Sequence, residues 1–470
     1  MADLPAATSP SVVLAHPTDD EKRQTWALTA AEWAGALTLD QYLEREPYLT
    51  TIPVSRDGGM THWILTTNDD NGSSGSSERP LLSSCESIMK TVLVASPEGD
   101  GQVTEEIGHG IGSVYTSPEF RGRSYASRML AEVGVQLENW DLAPQEGTAT
   151  KQQQQQQKKK KKAICSALWS DIGKKFYAKK GWIPFASQHI EFPAGHHHDS
   201  TAKAKGLTST PITYDNLAGF CALDEAALRE RLSRTARETG KTVMAFAPSH
   251  DQMLWHLYRD SYIASIVFPD RDPHLADDPI DNDKDNTITN TNGSTNGSTN
   301  GGRSGSSSSS SPTRQPRSGD ALRRHPGKLE ANEVKGIAVG KPGRRVWAFW
   351  TRNYSKGPES PKDNTLYILR LTIENEEQYD AHSEQEKQEL ADSLVAVIRA
   401  AQATAQEWSC GRVDLWNPDG LVARLLLRDS GLEHEVVERE ESSIPSLMWY
   451  GAGTKTEDAV WLCNEKYAWC

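Results

Sequence analysis

Two low-complexity stretches interrupt the chain and most constrain what it can fold into. The first, 151–162, is one lysine followed by six glutamines and five lysines, and the second, 286–313, consists almost entirely of Gly, Ser, Thr, Asn and Pro. Neither stretch can bury enough apolar surface to offset the entropy that ordering it would cost. Setting aside 141–162 and 281–327 as insertions leaves about 400 residues, which suits two domains of about 200 residues rather than three.

Charge and composition exclude several classes of protein. The net charge of −13 argues against nucleic acid as the main partner. The chain has no run of about 18 apolar residues, so we predict no membrane-spanning helix, and residues 1–17 lack the basic and apolar regions of a secretory signal. The six cysteines are scattered, without a Cys-x-x-Cys pair, which predicts a reduced, cytoplasmic protein.

The first half of the chain has the pattern of a mixed α/β unit. Thr18 to Glu21 fits a capping box that opens a first helix, and a second helix over 39–46 is expected to end at Pro47. An elongated loop over 68–80 separates two strands that we expect to form a hairpin. The later elements, in order, are a strand over 110–116, an amphipathic helix after 125, a strand over 163–169, a short helix through Phe176 and Tyr177, and a closing strand over 182–192.

One short loop between a strand and a helix is locally basic in this acidic chain. Arg121 and Arg123 supply the charge, and the small residues Gly122, Ser124 and Ala126 would let a phosphate approach the main chain closely. Free N–H groups and the positive end of the helix dipole face the same place. These features favour an anion-binding loop; the alternative is an ordinary strand–helix turn with surface arginines.

The loop resembles the acetyl-CoA pyrophosphate loop, Arg-x-x-Gly-x-Gly/Ala, of the GNAT N-acetyltransferase superfamily, and the element order of 18–192 is similar to that fold. Four blocks resemble the fungal lysine N6-acetyltransferases of lysine catabolism, namely those at 33–38, 83–86, 110–114 and 170–177. The resemblance implies a GNAT-type mixed sheet flanked by helices, an α/β fold of the α+β kind, over 1–200. It also implies acetyl-CoA as co-substrate, held by Val114, Tyr115, Thr116, Arg121, Gly122, Arg123, Ser124, Tyr125 and Ala126.

Ser124 departs from the motif, which usually has glycine at this position. If its backbone requires a positive φ, a residue other than glycine costs about 1–2 kcal/mol. Alternatively, Ser124 has an ordinary backbone conformation and its hydroxyl donates to a phosphate. The sequence leaves both interpretations open.

Acetyl transfer to an amine requires a base, an oxyanion donor and an acid. An amine with a pKa near 10.4 is neutral in roughly one molecule in 2,500 at pH 7, so a base must help to remove its proton. The resemblance implies that an amide of 114–116 is the oxyanion donor and that Tyr177, within Phe-Tyr-x-x-x-Gly, is the acid. His109 is the candidate base because its ordinary pKa lies near neutrality. The alternative is a bound water relayed by Glu86 or Glu106, and Glu86 could instead hold the substrate ammonium group.

We predict no metal site, because direct acetyl transfer needs none. Three consecutive histidines at 196–198 follow Pro-Ala-Gly, where we expect the first domain to end, and a linker tract is the interpretation we adopt.

The second half, 207–470, repeats the later element order of the first. Leu415-Trp416-Asn417, a helix and Gly431 follow the same pattern as Leu168-Trp169-Ser170, a helix and Gly181. We therefore predict a degenerate second GNAT-like α/β domain that packs on the first and closes the substrate pocket; an unrelated α/β domain is the alternative. Leu427 stands where the first unit has Tyr177, and the approach to the long helix is strongly acidic, so this half is not expected to bind a pyrophosphate.

The function that follows is acetyl-CoA-dependent acetylation of the ε-amino group of free L-lysine by direct transfer. Two alternatives remain at this stage. The amine could be a polyamine or a protein lysine, or the chain could be a non-catalytic acetyl-CoA-binding or interaction protein.

Overall fold

The computed structural model describes residues 4–68, 79–140, 162–195, 206–271 and 333–469. The Gln/Lys stretch, the three histidines at 196–198 and the insertion at 281–327 therefore lie outside the described residues, apart from Lys162. None of the helices in the described ranges combines the length and the apolar character needed to cross a membrane.

The elements of the first half follow the predicted order closely. They are β1 (Val12–Ala15), α1 (Asp19–Trp33), α2 (Leu39–Leu49), β2 (Met60–Thr67), β3 (Ser83–Ala95), β4 (Val103–Tyr115), α3 (Tyr125–Glu138), β5 (Ala163–Ser170), α4 (Lys175–Ala178), β6 (Ile183–Pro184) and β7 (Gln188–Pro193).

Two details of the helices test the predicted boundaries. The Thr18–Glu21 capping box is present at the start of α1, with both reciprocal hydrogen bonds. The expectation that Pro47 ends the second helix is wrong, because α2 continues through it to Leu49. The buried side chains of Tyr42, Leu43 and Leu49 pack this helix into the protein, and this packing offsets the hydrogen bond that proline cannot donate.

The second half contributes a similar set of strands and longer helices. They are β8 (Ser209–Ile212), α5 (Tyr214–Thr239), β9 (Val243–Phe246), α6 (His250–Val267), β10 (Gly336–Val339), β11 (Val346–Tyr354), β12 (Asn364–Ile373), α7 (Glu384–Glu407), β13 (Arg412–Trp416), α8 (Gly420–Arg424), β14 (Glu435–Glu438), β15 (Ile444–Trp449) and β16 (Val460–Trp461). A π-helical turn over Leu425–Asp429 extends α8.

The strands form two mixed sheets with the same local pattern. The first has the order β1-β2-β3-β4-β5-β15-β6, with β9 on β3 and β16 on β9. The second has the order β14-β7-β13-β12-β11-β10-β8. In each sheet an antiparallel hairpin, β3-β4 or β11-β12, is followed through a helix by a parallel strand, β5 or β13. The predicted fold class, two GNAT-like α/β units, is confirmed.

The two units exchange strands. The prediction that 182–192 closes the first sheet is wrong for β7, which lies between β13 and β14 of the second sheet. Its place in the first sheet is taken by β15, which pairs with β5 on one side and β6 on the other. A sequence pattern identifies a strand but not its partner, since only tertiary packing decides between two similar sheets. The sheets therefore do not divide at residue 200.

Helices cover both faces of each sheet. On one face of the first sheet, Met129, Leu130 and Val133 of α3 form a buried cluster with strand residues. On the other face, α5 and α6 pack in a cluster that also includes Trp347 and Phe349 of the second sheet. The two units thus share an apolar cluster that lies between their sheets.

Candidate active site

A cleft opens where β4 and β5 stop pairing. The two parallel strands pair from Ile107 to Ile111 on β4, and a bulge then follows at Ser113, whose φ is +53°. Beyond the bulge the strands line a cleft of about 1380 Å³. Its walls come from both halves of the chain, including α1, α2 and α4 from the first half and α6, the 353–356 turn and Trp469 from the second.

The predicted acetyl-CoA residues lie at one end of this cleft. Its lining includes Val114, Tyr115, Thr116, Arg121 and Ala126. The Arg121 Nε donates to the Thr116 carbonyl oxygen at 2.9 Å, which holds the loop against the end of β4. The first N–H groups of α3 have no intrahelical acceptor, so this end of the cleft offers donors to an anion.

The other loop residues divide into exposed and buried positions. Gly122 (φ +78°), Arg123 and Ser124 are exposed. The Tyr125 side chain, in contrast, is 1% exposed, and its hydroxyl donates to the Pro5 carbonyl oxygen at 2.6 Å. Tyr125 therefore anchors the start of α3 in the core, and only its backbone remains available to a ligand.

Ser124 has the left-handed conformation, with φ +66° and ψ 15°, and caps α3 without a side-chain hydrogen bond. This is the strained alternative of the two that the sequence left open. We expect Ser124→Gly to raise the free energy of unfolding by about 1 kcal/mol, since glycine adopts this conformation without the steric cost. The affinity for acetyl-CoA should stay the same or rise.

Denaturant unfolding and acetyl-CoA titration measure these two quantities. Ser127→Gly is the matched control, because Ser127 lies inside α3, where glycine is expected to lower stability. If Ser124→Gly weakened acetyl-CoA binding more than tenfold, the serine hydroxyl would instead be a phosphate ligand.

Glu86 of β3 is the main acidic group on the sheet side of the cleft. Its side chain is only 15% exposed. Trp26 Nε1 donates to one carboxylate oxygen at 3.3 Å, and the Ser113 hydroxyl donates to the other at 3.0 Å. His62 Nε2 lies 3.3 Å from the first oxygen. Burial alone would raise the pKa of Glu86, but His62, Ser113 and Trp26 outweigh it and hold the pKa below its usual value. The carboxylate is therefore kept ionised.

A second set of charged residues, on α2 and α6, lies beside Glu86. Arg45 Nε donates to Glu46 Oε1 at 2.9 Å, and burial followed by the Glu86 charge raises the pKa of Glu46, although Arg45 opposes the shift. Arg259 of α6 also lines the cleft. Its guanidinium carbon is 5.9 Å from the centre of the Trp469 ring. This part of the cleft is thus lined by both carboxylate and guanidinium groups.

Tyr177 lies on α4 and lines the cleft near the strand ends. Its side chain is 7% exposed and packs at 5.1 Å, edge to face, on Phe176. Burial, with smaller contributions from Cys85 and Asp171, raises the pKa of the Tyr177 hydroxyl. Within the described residues the hydroxyl has no hydrogen-bond partner, so it is a protonated donor available to a molecule in the cleft.

The structure does not bring His109 to this site. It is 1% exposed and packs on Trp140, which follows α3, with ring centres 4.8 Å apart. Burial lowers its pKa to about 3, so the ring is neutral and enclosed in the core. The assignment of His109 as base is therefore corrected: it precedes the Ser113 bulge and faces α3 rather than the cleft.

Glu106 also lies away from the cleft. It pairs with Val92, six residues before Gly112 on β4, which corresponds to about 20 Å along the strand. Of the two carboxylates predicted for the amine, only Glu86 lines the cleft.

Sequence reasoning missed Glu46 and Arg259. Glu46 looks like a surface residue at the end of a short helix, and Arg259 lies in a helix of the second half with no motif around it. An unusual share of buried charge near a cleft can be recognised only once the fold is known.

The described residues contain one cluster with the ligand types of a metal site, His189, Glu191 and Asp414. It belongs to β7 and β13 and does not line the cleft. Arg412 Nε lies 3.3 Å from Asp414 and 3.5 Å from Glu191, so a cation already occupies the space between the carboxylates.

Comparison with known proteins gives one family match and two curated relatives. The family model described as the LYC1 GNAT-like C-terminal domain matches 189–294 and 321–470. An uncharacterized protein of Saccharomyces cerevisiae is 24% identical over 273 residues, which cover 52% of this chain and 62% of that protein. A lysine acetyltransferase of Yarrowia lipolytica is 27% identical over 198 residues, covering 41% of this chain and 44% of that protein. The chain thus spans less than two thirds of either relative.

Solved structures give a more distant likeness. A GCN5-related N-acetyltransferase from Anabaena variabilis aligns with a TM-score of 0.42 and 11% identity, over 94% of this chain and 73% of that chain.

Proposed function

Because the chain belongs to the GNAT family defined by the LYC1-type C-terminal domain, we propose that it is an acetyl-CoA-dependent N-acetyltransferase. We propose further that its substrate is the ε-amino group of free L-lysine and that transfer is direct. The main support for the proposal is that one cleft is lined by Arg121 and Ala126 of the basic loop, by Tyr177 and by Glu86. The five described cysteines are free thiols, which supports a cytosolic location.

In the proposed mechanism, acetyl-CoA binds at the basic loop and at the end of β4. Acetyl-CoA supplies an acetyl thioester. The Arg121 and Arg123 guanidinium groups and the free N–H groups of α3 would hold its phosphates by charge and hydrogen bonding. A backbone N–H within Val114–Thr116 would stabilise the oxyanion that forms during transfer, and the Tyr177 hydroxyl would donate to the departing sulfur.

The amine end uses Glu86. An ionised, enclosed carboxylate attracts the substrate ammonium group and can receive its proton directly or through a water molecule. His62, beside Glu86, would support that ionised form. With His109 excluded by its position, Glu86 is the residue that we propose for this task.

We expect Glu86→Gln to raise the KM for lysine about 10- to 100-fold, because a hydrogen bond to a charged group is lost, and to lower kcat, because the group that receives the ammonium proton is lost. The affinity for acetyl-CoA should not change. Steady-state kinetics and acetyl-CoA titration check both. Glu106→Gln is the matched control and should behave like the unmodified protein; equal effects of the two substitutions would contradict the role given to Glu86.

A thiol-release assay with acetyl-CoA tests the proposed function against the alternatives. The panel contains free L-lysine, other amino acids, polyamines and a histone peptide. We expect the highest kcat/KM with L-lysine. Preference for a polyamine or the peptide would point to those substrate classes, and acetyl-CoA binding without thiol release on any amine would indicate a non-catalytic binding protein.

A further inference from the structure

Arg259, which is half-buried, differs from the buried arginines Arg352 and Arg370 of the second half. Arg352 is paired with Asp260 at 2.8 Å, and Arg370 with Asp224 at 2.9 Å. Arg45, across the cleft, is bonded to Glu46 and to the Trp33 carbonyl oxygen. Arg259 has no ion pair or hydrogen bond with any residue in the described ranges. It is a largely enclosed cation whose guanidinium donors are free in the cleft.

The surroundings of Arg259 make this arrangement costly without a ligand. Trp255, Ile263 and Trp469 line the same part of the cleft. The Trp469 ring lies within cation–π range of the guanidinium group, but none of the three side chains offers it a hydrogen-bond acceptor. Burial, followed by repulsion from Arg45, lowers the pKa of Arg259 to about 10, and the attraction of Glu46 offsets these effects only in part. An enclosed cation without an ion pair or hydrogen bond is unfavourable, and a carboxylate in bidentate contact would compensate it best.

We infer that Arg259 binds the α-carboxylate of the amine substrate, so that the cleft selects a free amino acid. This rests on the proposed function and adds to it the residue that determines the substrate class. Glu86 attracts the ammonium group that becomes acetylated, and Arg259 engages the opposite end of the same molecule. A polyamine would bring a second cation toward Arg259, and a lysine within a peptide has an amide in place of the carboxylate.

Three amines of similar length separate the contribution of the α-carboxylate to kcat/KM from that of the ε-ammonium group. L-Lysine has the carboxylate, L-lysinamide replaces it with an uncharged amide, and pentane-1,5-diamine lacks it. For the unmodified protein, we expect kcat/KM for lysine to exceed the values for the other two amines at least about 50-fold. Arg259→Gln should lower kcat/KM for lysine by a similar factor. It should change kcat/KM for lysinamide and for pentane-1,5-diamine less than about threefold, and it should leave the affinity for acetyl-CoA unaltered.

Arg237→Gln is the control substitution, since Arg237 is exposed on α5, away from the cleft. Equal losses on all three amines, no loss on lysine, or weakened acetyl-CoA binding would overturn the inference. If Arg259→Gln does not fold, the comparison of lysine with lysinamide on the unmodified protein still tests the inference. Equal kcat/KM values for these two amines would contradict the binding of the α-carboxylate by Arg259.

Calorimetric binding of lysine separates this inference from the proposed function. If the protein transfers no acetyl group but binds lysine at least 50-fold more tightly than lysinamide, the proposed function fails and the carboxylate site stands. If it transfers acetyl groups to lysine and lysinamide equally well, the proposed function stands and the carboxylate site fails.

Discussion

Replacing Tyr177 by phenylalanine is expected to lower kcat at least about 100-fold while leaving the affinity for acetyl-CoA near that of the unmodified protein. Loss of a positioned general acid usually costs between about 10² and 10⁴ in rate. The hydroxyl has no partner among the described residues, and its raised pKa keeps it protonated. Its removal therefore withdraws a proton donor from the departing thiolate without disturbing a hydrogen-bond network.

Stability should change little in this variant. The Tyr177 ring is part of the buried cluster with α3, and phenylalanine keeps the ring in place. Tyr450→Phe is the matched control: that hydroxyl contacts the Ser166 hydroxyl at 2.6 Å and does not line the cleft. Single-turnover kinetics and acetyl-CoA titration measure the two quantities. An undiminished kcat in Tyr177→Phe would remove Tyr177 from the mechanism.

Ending the chain at residue 206 is expected to abolish folding of the first unit altogether. Without the second half, β5 and β6 lose their shared neighbour β15, and β7 loses both of its partners. Apolar side chains that are buried in the whole protein become uncovered, among them Val92, Leu93 and Trp169. Each contributes about 1.5–3 kcal/mol when buried, so together they approach the net stability of about 5–15 kcal/mol of a typical protein.

The 1–206 fragment should therefore show no cooperative thermal transition and no acetyl-CoA binding. Co-expression with 207–470 should restore both, since the exchanged strands can then find their sheets. Circular dichroism and acetyl-CoA titration report the two properties. A fragment that folded alone and acetylated lysine at the rate of the whole protein would contradict the shared fold and the cleft built from both halves.

Local sequence chemistry predicted much of the fold. The capping box at Thr18, the strand–loop–helix at Arg121 and the element order of the second half are set by interactions within a few residues. Tyr177 was found through its motif, and it does line the cleft.

Features that depend on distant parts of the chain were not predicted. The exchange of β7 and β15 joins strands more than 200 residues apart in sequence, and nothing in either strand distinguishes the two sheets. His109 was assigned from its ordinary pKa, but burial reverses that argument. Arg259 became a candidate only when the fold placed an unpaired cation in a cleft otherwise formed mainly by the first half.

The position of the acetyl group on the product tests the central proposal most directly. Purified protein is incubated with acetyl-CoA and L-lysine, and the product is identified by tandem mass spectrometry while free thiol is counted in parallel. We predict N6-acetyl-L-lysine and free coenzyme A in equal amounts. Acetylation of the α-amino group, or no acetylated lysine under conditions in which acetyl-CoA is bound, would contradict the proposal.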